Sequence, residues 1–216
     1  MRNDLIDISR GIAFILMLVH HYFYFNPNND ILPYNAEICG IISRTIFIIL
    51  VGINIKMFKK KKSLTPYKTL FCSLLVTLVT RIFLNERNVI FFGTLHFISF
   101  VTIIFQHMEF NSREQILGII VSLFLSNYIL YNFNASDNYI NLILGTYPLS
   151  KFPLDIFPIF RWLPYVFFGM IIGDYMKNIN LNLEVYNFYI LKFFGKNSLF
   201  FYMLHIIPCI IWYGSK

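Results

Sequence analysis

The chain has 216 residues, of which 57% are hydrophobic and only 13% are charged. Because about a quarter of the residues in a soluble domain are charged, this composition excludes a water-soluble globular protein and predicts a protein surrounded by membrane lipids. The formal net charge of +7 does not indicate nucleic-acid binding, since many of the lysines lie in short segments between apolar runs.

Apolar runs follow one another along the whole chain. At roughly 20 residues per crossing, they predict about seven transmembrane helices in a single domain over residues 1–216. The aromatic stretch Val185–Phe194 is predicted to lie along the membrane interface. The expected fold class is therefore all-α, a polytopic bundle of membrane helices. The predicted spans are Leu5–Phe25, Ile38–Phe58, Thr69–Leu84, Val89–Gln106, Ile116–Phe133, Phe157–Met176 and Ser198–Tyr213.

Lysines indicate which side of the bundle faces the cytoplasm. The run Lys59–Lys62 separates the second and third predicted spans, and Lys177, Lys192 and Lys196 lie between the sixth and the seventh. Both segments fall on the same side of the membrane as the N-terminus. Short cytoplasmic loops are enriched in lysine and arginine, so this pattern predicts a cytoplasmic N-terminus, and we expect the protein in the plasma membrane.

The first predicted span carries ionisable side chains that cannot face lipid. At 100° per residue, Asp7, Arg10 and His21 fall within about 60° of one another on one face of the helix. Arg10 and His21 are separated by roughly 16 Å along the axis. Charged groups inside a bilayer face protein or water and often mark function. Two interpretations stay open: a functional cavity, or an i,i+3 ion pair between Asp7 and Arg10 with a merely hydrogen-bonded His21.

Later spans add ionisable groups that the topology places in the outer half of the membrane. They are His96 in the fourth span, and Asp155 and Arg161 around the start of the sixth. A histidine beside a carboxylate is suited to proton transfer, because imidazole titrates near neutrality and the carboxylate can orient it. The alternative is that each histidine satisfies a hydrogen bond between helices.

The sequence predicts no metal site. We recognise no two metal-binding side chains spaced i,i+4 along a helix, and the adjacent His20 and His21 point about 100° apart. The three cysteines lie within predicted spans without paired spacing, and we interpret them as small apolar side chains. They are Cys39, Cys72 and Cys209.

The opening of the chain resembles the transmembrane acyltransferase superfamily. In that superfamily a basic residue early in the first core helix is followed, after ten intervening residues, by a histidine, and Arg10 and His21 fit this spacing. Four later blocks occur in the expected order: FIILVGINI, IFFGTLHFIS, DIFPIFRWLPYVFFGMIIG and FGKNSLFFYMLHIIP. Together they resemble bacterial relatives of heparan-α-glucosaminide N-acetyltransferase over nearly the whole chain.

The resemblance implies acyl transfer from cytoplasmic acetyl-CoA, as co-substrate, to an amino or hydroxyl group of a sugar-containing acceptor across the membrane. It makes His21 the general base or a transient acetyl carrier. Asp155 would orient it, and His96 is a second candidate near the acceptor. The lysosomal relative carries a histidine in the loop after its first span. Because residues 22–36 here contain none, a route through that loop is not carried over.

The resemblance also assigns binding residues. The implied donor-binding residues, which would meet the phosphates of acetyl-CoA, are Arg10, Lys59, Lys60 and Lys196. The implied acceptor-binding residues are Arg161 and Trp162. Arg161 departs from the family pattern by preceding Trp162, and it fits equally well a snorkelling side chain at the interface.

Two alternatives remain beside this hypothesis. One is an O-acyltransferase of the same superfamily that modifies envelope glycans or lipids. The other is a small transporter or lipid-binding membrane protein without enzymatic activity, although no inverted repeat is evident. The acceptor, the acyl chain length, a covalent acyl-enzyme and homo-oligomerisation stay undetermined at this stage.

Overall fold

The computed structural model describes residues 3–25, 33–58, 64–84, 89–132, 139–146, 155–179 and 188–214. These residues form α-helices and connecting segments, with no strand among them. The predicted donor-binding residues Lys59 and Lys60 lie outside the described ranges. The helices are α1 Asp4–Phe25, α2 Tyr34–Met57, α3 Thr65–Phe83, α4 Thr94–Phe105, α5 Ser112–Asn132, α6 Tyr139–Leu144, α7 Ile159–Asn178, α8 Tyr189–Lys196 and α9 Ser198–Gly214.

The helices confirm the predicted class, an all-α membrane bundle. A helix occupies each predicted span. Within the described ranges, four helices are long and apolar enough to cross a membrane, namely α1, α2, α3 and α5. A fifth crossing results if α8 and α9, which meet at 82°, count as one broken span. Helix α4 has only 12 residues, so the number of crossings stays a prediction.

The described chain separates into two compact units. The first combines Met1–Leu50 with Asn178–Lys216, and the second is Val51–Lys177. In the first unit α1 packs against α8 and α9. The ring of Phe14 on α1 lies 5.6 Å from that of Phe194 and 5.8 Å from that of Phe201. This aromatic cluster fixes α1 against the two last helices.

Glycines let α8 approach the backbone of α1. A Cβ atom at Gly195 would overlap the carbonyl oxygen of Asp7, and one at Gly11 would overlap the carbonyl oxygen of Leu191. Small residues allow this close packing of helix backbones in membrane proteins. An ion pair between Lys192 and Asp4 adds a polar contact between the same two helices.

In the second unit, the C-terminal part of α2 packs closely against α7. A Cβ atom at Gly52 would overlap the carbonyl oxygen of Val166, and one at Gly173 would lie 3.1 Å from the Cα atom of Ile53. The neighbouring core is aromatic, with the rings of Phe105 and Phe167 5.4 Å apart.

A polar cluster joins three helices of the second unit. Lys56 on α2 forms an ion pair of 3.0 Å with Asp174 on α7. Gln115 on α5, which is fully buried, donates from Nε2 to Asp174 over 2.6 Å. Both Lys56 and Gln115 also donate to the carbonyl oxygen of Phe110. Because polar groups away from water are costly unless paired, the cluster ties these helices to one another.

Replacing Asp174 with alanine is expected to lower the stability of the protein by about 2 kcal/mol, because Lys56 loses its ion-pair partner and Gln115 loses one of its two acceptors. Thermal unfolding in detergent measures this loss. Lys177→Ala, at an exposed position of the same helix, is the control and should unfold like the native protein. Equal stability of the two variants would contradict a structural role for the cluster.

Candidate functional site

The N-terminal part of α1 contains the predicted ion pair. Arg10 Nη1 donates to Asp7 Oδ1 over 2.9 Å, and the Asp7 side chain is only 1% exposed. The Arg10 side chain is 23% exposed. The ion pair is therefore compatible with both interpretations of the first span.

His21, near the other end of α1, stacks on a histidine of the last helix. The rings of His21 and His205 lie 5.0 Å apart and are parallel to within 6°. The buried His205 donates from Nδ1 to the carbonyl oxygen of Tyr202, because a carbonyl can only accept. This assignment leaves the lone pair of His205 on Nε2.

Cys209 completes a group with these two histidines. One ligand-type atom each of His21, His205 and Cys209 lies within 4.8 Å of the others. The grouping was not predicted, because Cys209 was interpreted as a small apolar side chain and its i,i+4 spacing from His205 was missed. The available signal was the i,i+4 spacing of His205 and Cys209, which puts both side chains on one face of α9.

In the second unit, Asp155 binds the N-terminus of α4. Its Oδ2 atom accepts from the backbone N–H of Thr94 over 2.8 Å and from the Thr94 hydroxyl over 3.0 Å. The first N–H groups of a helix lack partners within the helix, and a carboxylate at this end is favourable. Gly93 leaves room for the carboxylate, since a Cβ atom there would overlap Oδ2.

His96, in the first turn of α4, has hydrogen-bond partners on both ring nitrogens. The backbone N–H of Gly93 donates to Nδ1 over 3.4 Å. Nε2 lies 3.0 Å from Thr77 Oγ1, whose own proton goes to the carbonyl oxygen of Ile90 over 2.7 Å. These partners place the imidazole proton on Nε2, which donates to Thr77. The arrangement connects α3 to α4 and supports a structural role for His96.

A cavity of about 270 Å³ lies in the second unit, between the end of α2, the start of α3 and α4. The side chain of Gln106 is 8% exposed, and its Oε1 atom is buried without a hydrogen-bond partner. The polar residues that line the cavity are Asn54, Thr65, Thr69, Ser99, Thr102 and Gln106. This lining offers hydrogen bonds to an elongated, partly polar ligand.

The remaining predicted binding residues that the structure describes are Arg161 and Trp162 on α7 and Lys196 on α8. Arg161 is exposed at the start of α7. The ring of Trp162 lies 4.9 Å from that of Phe157 and 5.5 Å from that of Tyr165. Lys196 is exposed at the end of α8.

Comparison with known families identifies the family of the chain. Residues 2–207 match the sequence model of the family described as "Heparan-alpha-glucosaminide N-acetyltransferase, catalytic". The chain belongs to this family. The resemblance found in the sequence blocks is thereby confirmed, and the protein is an integral membrane member of a transmembrane acetyltransferase family. Among curated proteins and solved structures, no significant match is found.

Within this acetyltransferase family member, the predicted catalytic residues divide between the units. Asp155 and His96 meet at the N-terminus of α4 in the second unit, whereas His21 belongs to the first. The pairing of His21 with Asp155 stays a prediction.

The contacts of Asp155 predict different stabilities for the variants in which asparagine or alanine replaces it. Asp155→Asn keeps an oxygen that can accept from Thr94 and should unfold close to the native temperature. Asp155→Ala removes the helix cap and should cost about 1 kcal/mol. Thermal unfolding of both variants in one detergent measures the difference. A loss of the same size in Asp155→Asn would show that the charge, and not the hydrogen bonds, stabilises α4.

Proposed function

We propose that the protein transfers the acetyl group of acetyl-CoA to an amino or hydroxyl group of a sugar-containing acceptor on the opposite side of the membrane. The acceptor heteroatom attacks the thioester carbonyl and loses its proton to His21. The C–S bond then breaks, and the departing thiolate takes up a proton to give free CoA. Membership of the acetyltransferase family over residues 2–207 is the observation that carries the proposal.

His21 is the proposed general base. Imidazole has the right basicity for proton transfer near neutral pH. Its place on α1 follows Arg10 at the spacing typical of the superfamily. Asp155 is proposed to orient the base, and the Asn variant described above, which keeps the cap of α4, tests that role through the transfer rate.

Arg10 is proposed as a donor-binding residue of the first unit, and the cavity of the second unit is proposed separately as a site for part of the donor. Arg10 would bind a phosphate of the donor, and Lys196 with Lys59 and Lys60 would add positive charge. Pockets that hold a whole drug-sized ligand typically have volumes of roughly 300–1,000 Å³. The cavity is smaller than these pockets. It therefore suits part of the donor, the pantetheine arm, whose amide N–H groups would supply the donor that Gln106 Oε1 lacks.

The acceptor site is proposed to include Arg161 and Trp162. An exposed arginine can bind sugar hydroxyl or carboxylate groups, and an indole ring packed between other aromatic rings gives a rigid apolar surface for a sugar. The family description names a glucosaminide, so amino sugars are the first acceptors to examine.

Acetyl-CoA binding to the purified protein tests the donor half of the proposal. Ligand that binds only the folded state stabilises by about 2.7 kcal/mol at a hundredfold excess over Kd, so the unfolding temperature should rise with donor concentration. Arg10→Ala should weaken this rise, and so should Gln106→Leu. The leucine variant removes the unpaired Oε1 atom together with the 3.0 Å contact between Gln106 Nε2 and His107 Nε2, so its unfolding temperature without donor is measured first.

His21→Ala separates donor binding from chemistry in the same experiment. It should keep the rise in unfolding temperature and lose acetyl transfer. A folded native protein that shows no shift at millimolar acetyl-CoA would contradict the proposed function and favour a transporter or lipid-binding role.

A further inference from the structure

The group formed by His21, His205 and Cys209 has a composition that the acetyl-transfer chemistry does not require. Its ligand-type atoms come from α1 and α9 of the same compact unit and lie within 4.8 Å of one another. Imidazole nitrogen and thiolate sulfur are the ligands that Zn²⁺ prefers in proteins. Three such ligands and one open position form a common tetrahedral arrangement.

The three ligand-type atoms need only a small movement to reach a common ion. Zn²⁺ ligands at their usual bond lengths lie roughly 3.5 Å from one another in a tetrahedral site. An inward movement of about 1 Å, which side-chain rotation can supply, brings the three atoms to that separation.

The surroundings of His205 prepare it for coordination. Its Nδ1 proton is held by the carbonyl oxygen of Tyr202, which leaves Nε2 as the free ligand atom. Metal-binding histidines usually donate their other ring N–H to a backbone carbonyl or carboxylate in this way. The ring of Phe14 packs edge-on against that of His205, with the two ring centroids 6.4 Å apart.

We infer that His21, His205 and Cys209 form a binding site for a zinc-like transition-metal ion. On binding, the Cys209 thiol releases its proton to solvent, and the two imidazoles donate their ring lone pairs. A metal-bound His21 cannot accept a proton, so the bound ion inhibits acetyl transfer. Only this inhibition rests on the proposed function.

Cobalt spectroscopy of the full-length protein in detergent tests the site independently of activity. Co²⁺ replaces Zn²⁺ in such sites, and coordination by a thiolate gives a sulfur-to-cobalt charge-transfer band. The native protein should show this band with one equivalent of Co²⁺ and lose it when Zn²⁺ is added. Cys209→Ser should lack the band and bind Zn²⁺ roughly 100-fold more weakly or worse.

Cys72→Ser is the matched control, since its thiol is also half-buried but lies in the second unit. This variant should keep the band. Absence of the band in the folded native protein would overturn the inference whatever the variants do, and so would a band that Cys209→Ser retains.

Inhibition of acetyl transfer by Zn²⁺ is the second test of the site. One equivalent of Zn²⁺ should inhibit the native protein, a chelator should restore its rate, and Cys209→Ser should keep its basal rate without inhibition. A cobalt band in a protein without acetyl transfer would contradict the proposed function and leave the metal site standing. Active protein without the band would overturn the metal site alone.

Discussion

Glutamine in place of His21 is expected to lower the rate constant of acetyl transfer by roughly 10²–10⁴-fold, the usual contribution of a general base. Glutamine is close to histidine in size and still polar, but it has no basic nitrogen. The loss should therefore appear in kcat, while the stabilisation of the folded protein by acetyl-CoA stays unchanged. Transfer of labelled acetyl groups to amino sugars by the purified protein measures the rate.

His20 provides the matched control because it is adjacent on the same helix. His20 Nδ1 lies 3.0 Å from the carbonyl oxygen of Ala36, to which it donates. A glutamine amide can donate to the same oxygen, so His20→Gln should transfer acetyl groups at close to the native rate. An active His21→Gln, or equal losses in both variants, would contradict the assignment of the base to His21.

The same proteins distinguish direct transfer from a covalent route. If His21 only accepts a proton, labelled acetyl-CoA without acceptor should leave no label on the protein after rapid denaturation in detergent at neutral pH, where an acetylimidazole is not cleaved by acid. Label that appears in the native protein and is absent from His21→Gln would make His21 the acetyl carrier. Either result concerns the chemistry at one residue and leaves family membership unaffected.

Helix positions could be predicted because apolar runs of sufficient length have few other structures available in a membrane. The first residue of a helix was predicted less accurately than its apolar part. Helix α5 begins at Ser112, before the predicted Ile116, because Asn111 and Glu114 cap it reciprocally. Asn111 N–H donates to Glu114 over 2.7 Å, and Glu114 N–H donates to Asn111 over 3.0 Å. This polar turn precedes the apolar run, so a prediction based on hydropathy does not include it in the helix.

Polar contacts between residues close in sequence could be predicted from their spacing, whereas contacts between residues far apart in sequence could not. The Asp7–Arg10 ion pair follows from i,i+3 spacing, and the His205–Cys209 pair was available in the same way. By contrast, Lys56 on α2 pairs with Asp174 on α7, which is far away in sequence. The cap that Asp155 provides for α4 also joins residues far apart in sequence. Such partners depend on tertiary packing, which no spacing rule encodes.

The largest expected effect on stability comes from Gly195→Ala. Helix α8 has only 8 residues, and isolated helices shorter than about 12–15 residues are marginal in water. We expect it to hold its place through contacts with α1, where an alanine Cβ atom would overlap the carbonyl oxygen of Asp7. Because the overlapping atom belongs to the backbone of α1, it cannot rotate away as the end of a side chain could. Helices α1 and α8 must therefore move apart. We expect a loss of about 3 kcal/mol.

Such a loss corresponds to an unfolding temperature lower by about 6–12 °C for a chain of this size. Tyr189→Ala is the control on α8, because the Tyr189 side chain is 75% exposed, and its effect should stay within about 0.5 kcal/mol. Helix α8 leads directly into α9, which carries His205 and Cys209. Displacing α8 should therefore also weaken Co²⁺ binding, whereas Tyr189→Ala should leave it intact. Native-like unfolding of Gly195→Ala would mean that α8 does not pack closely on α1.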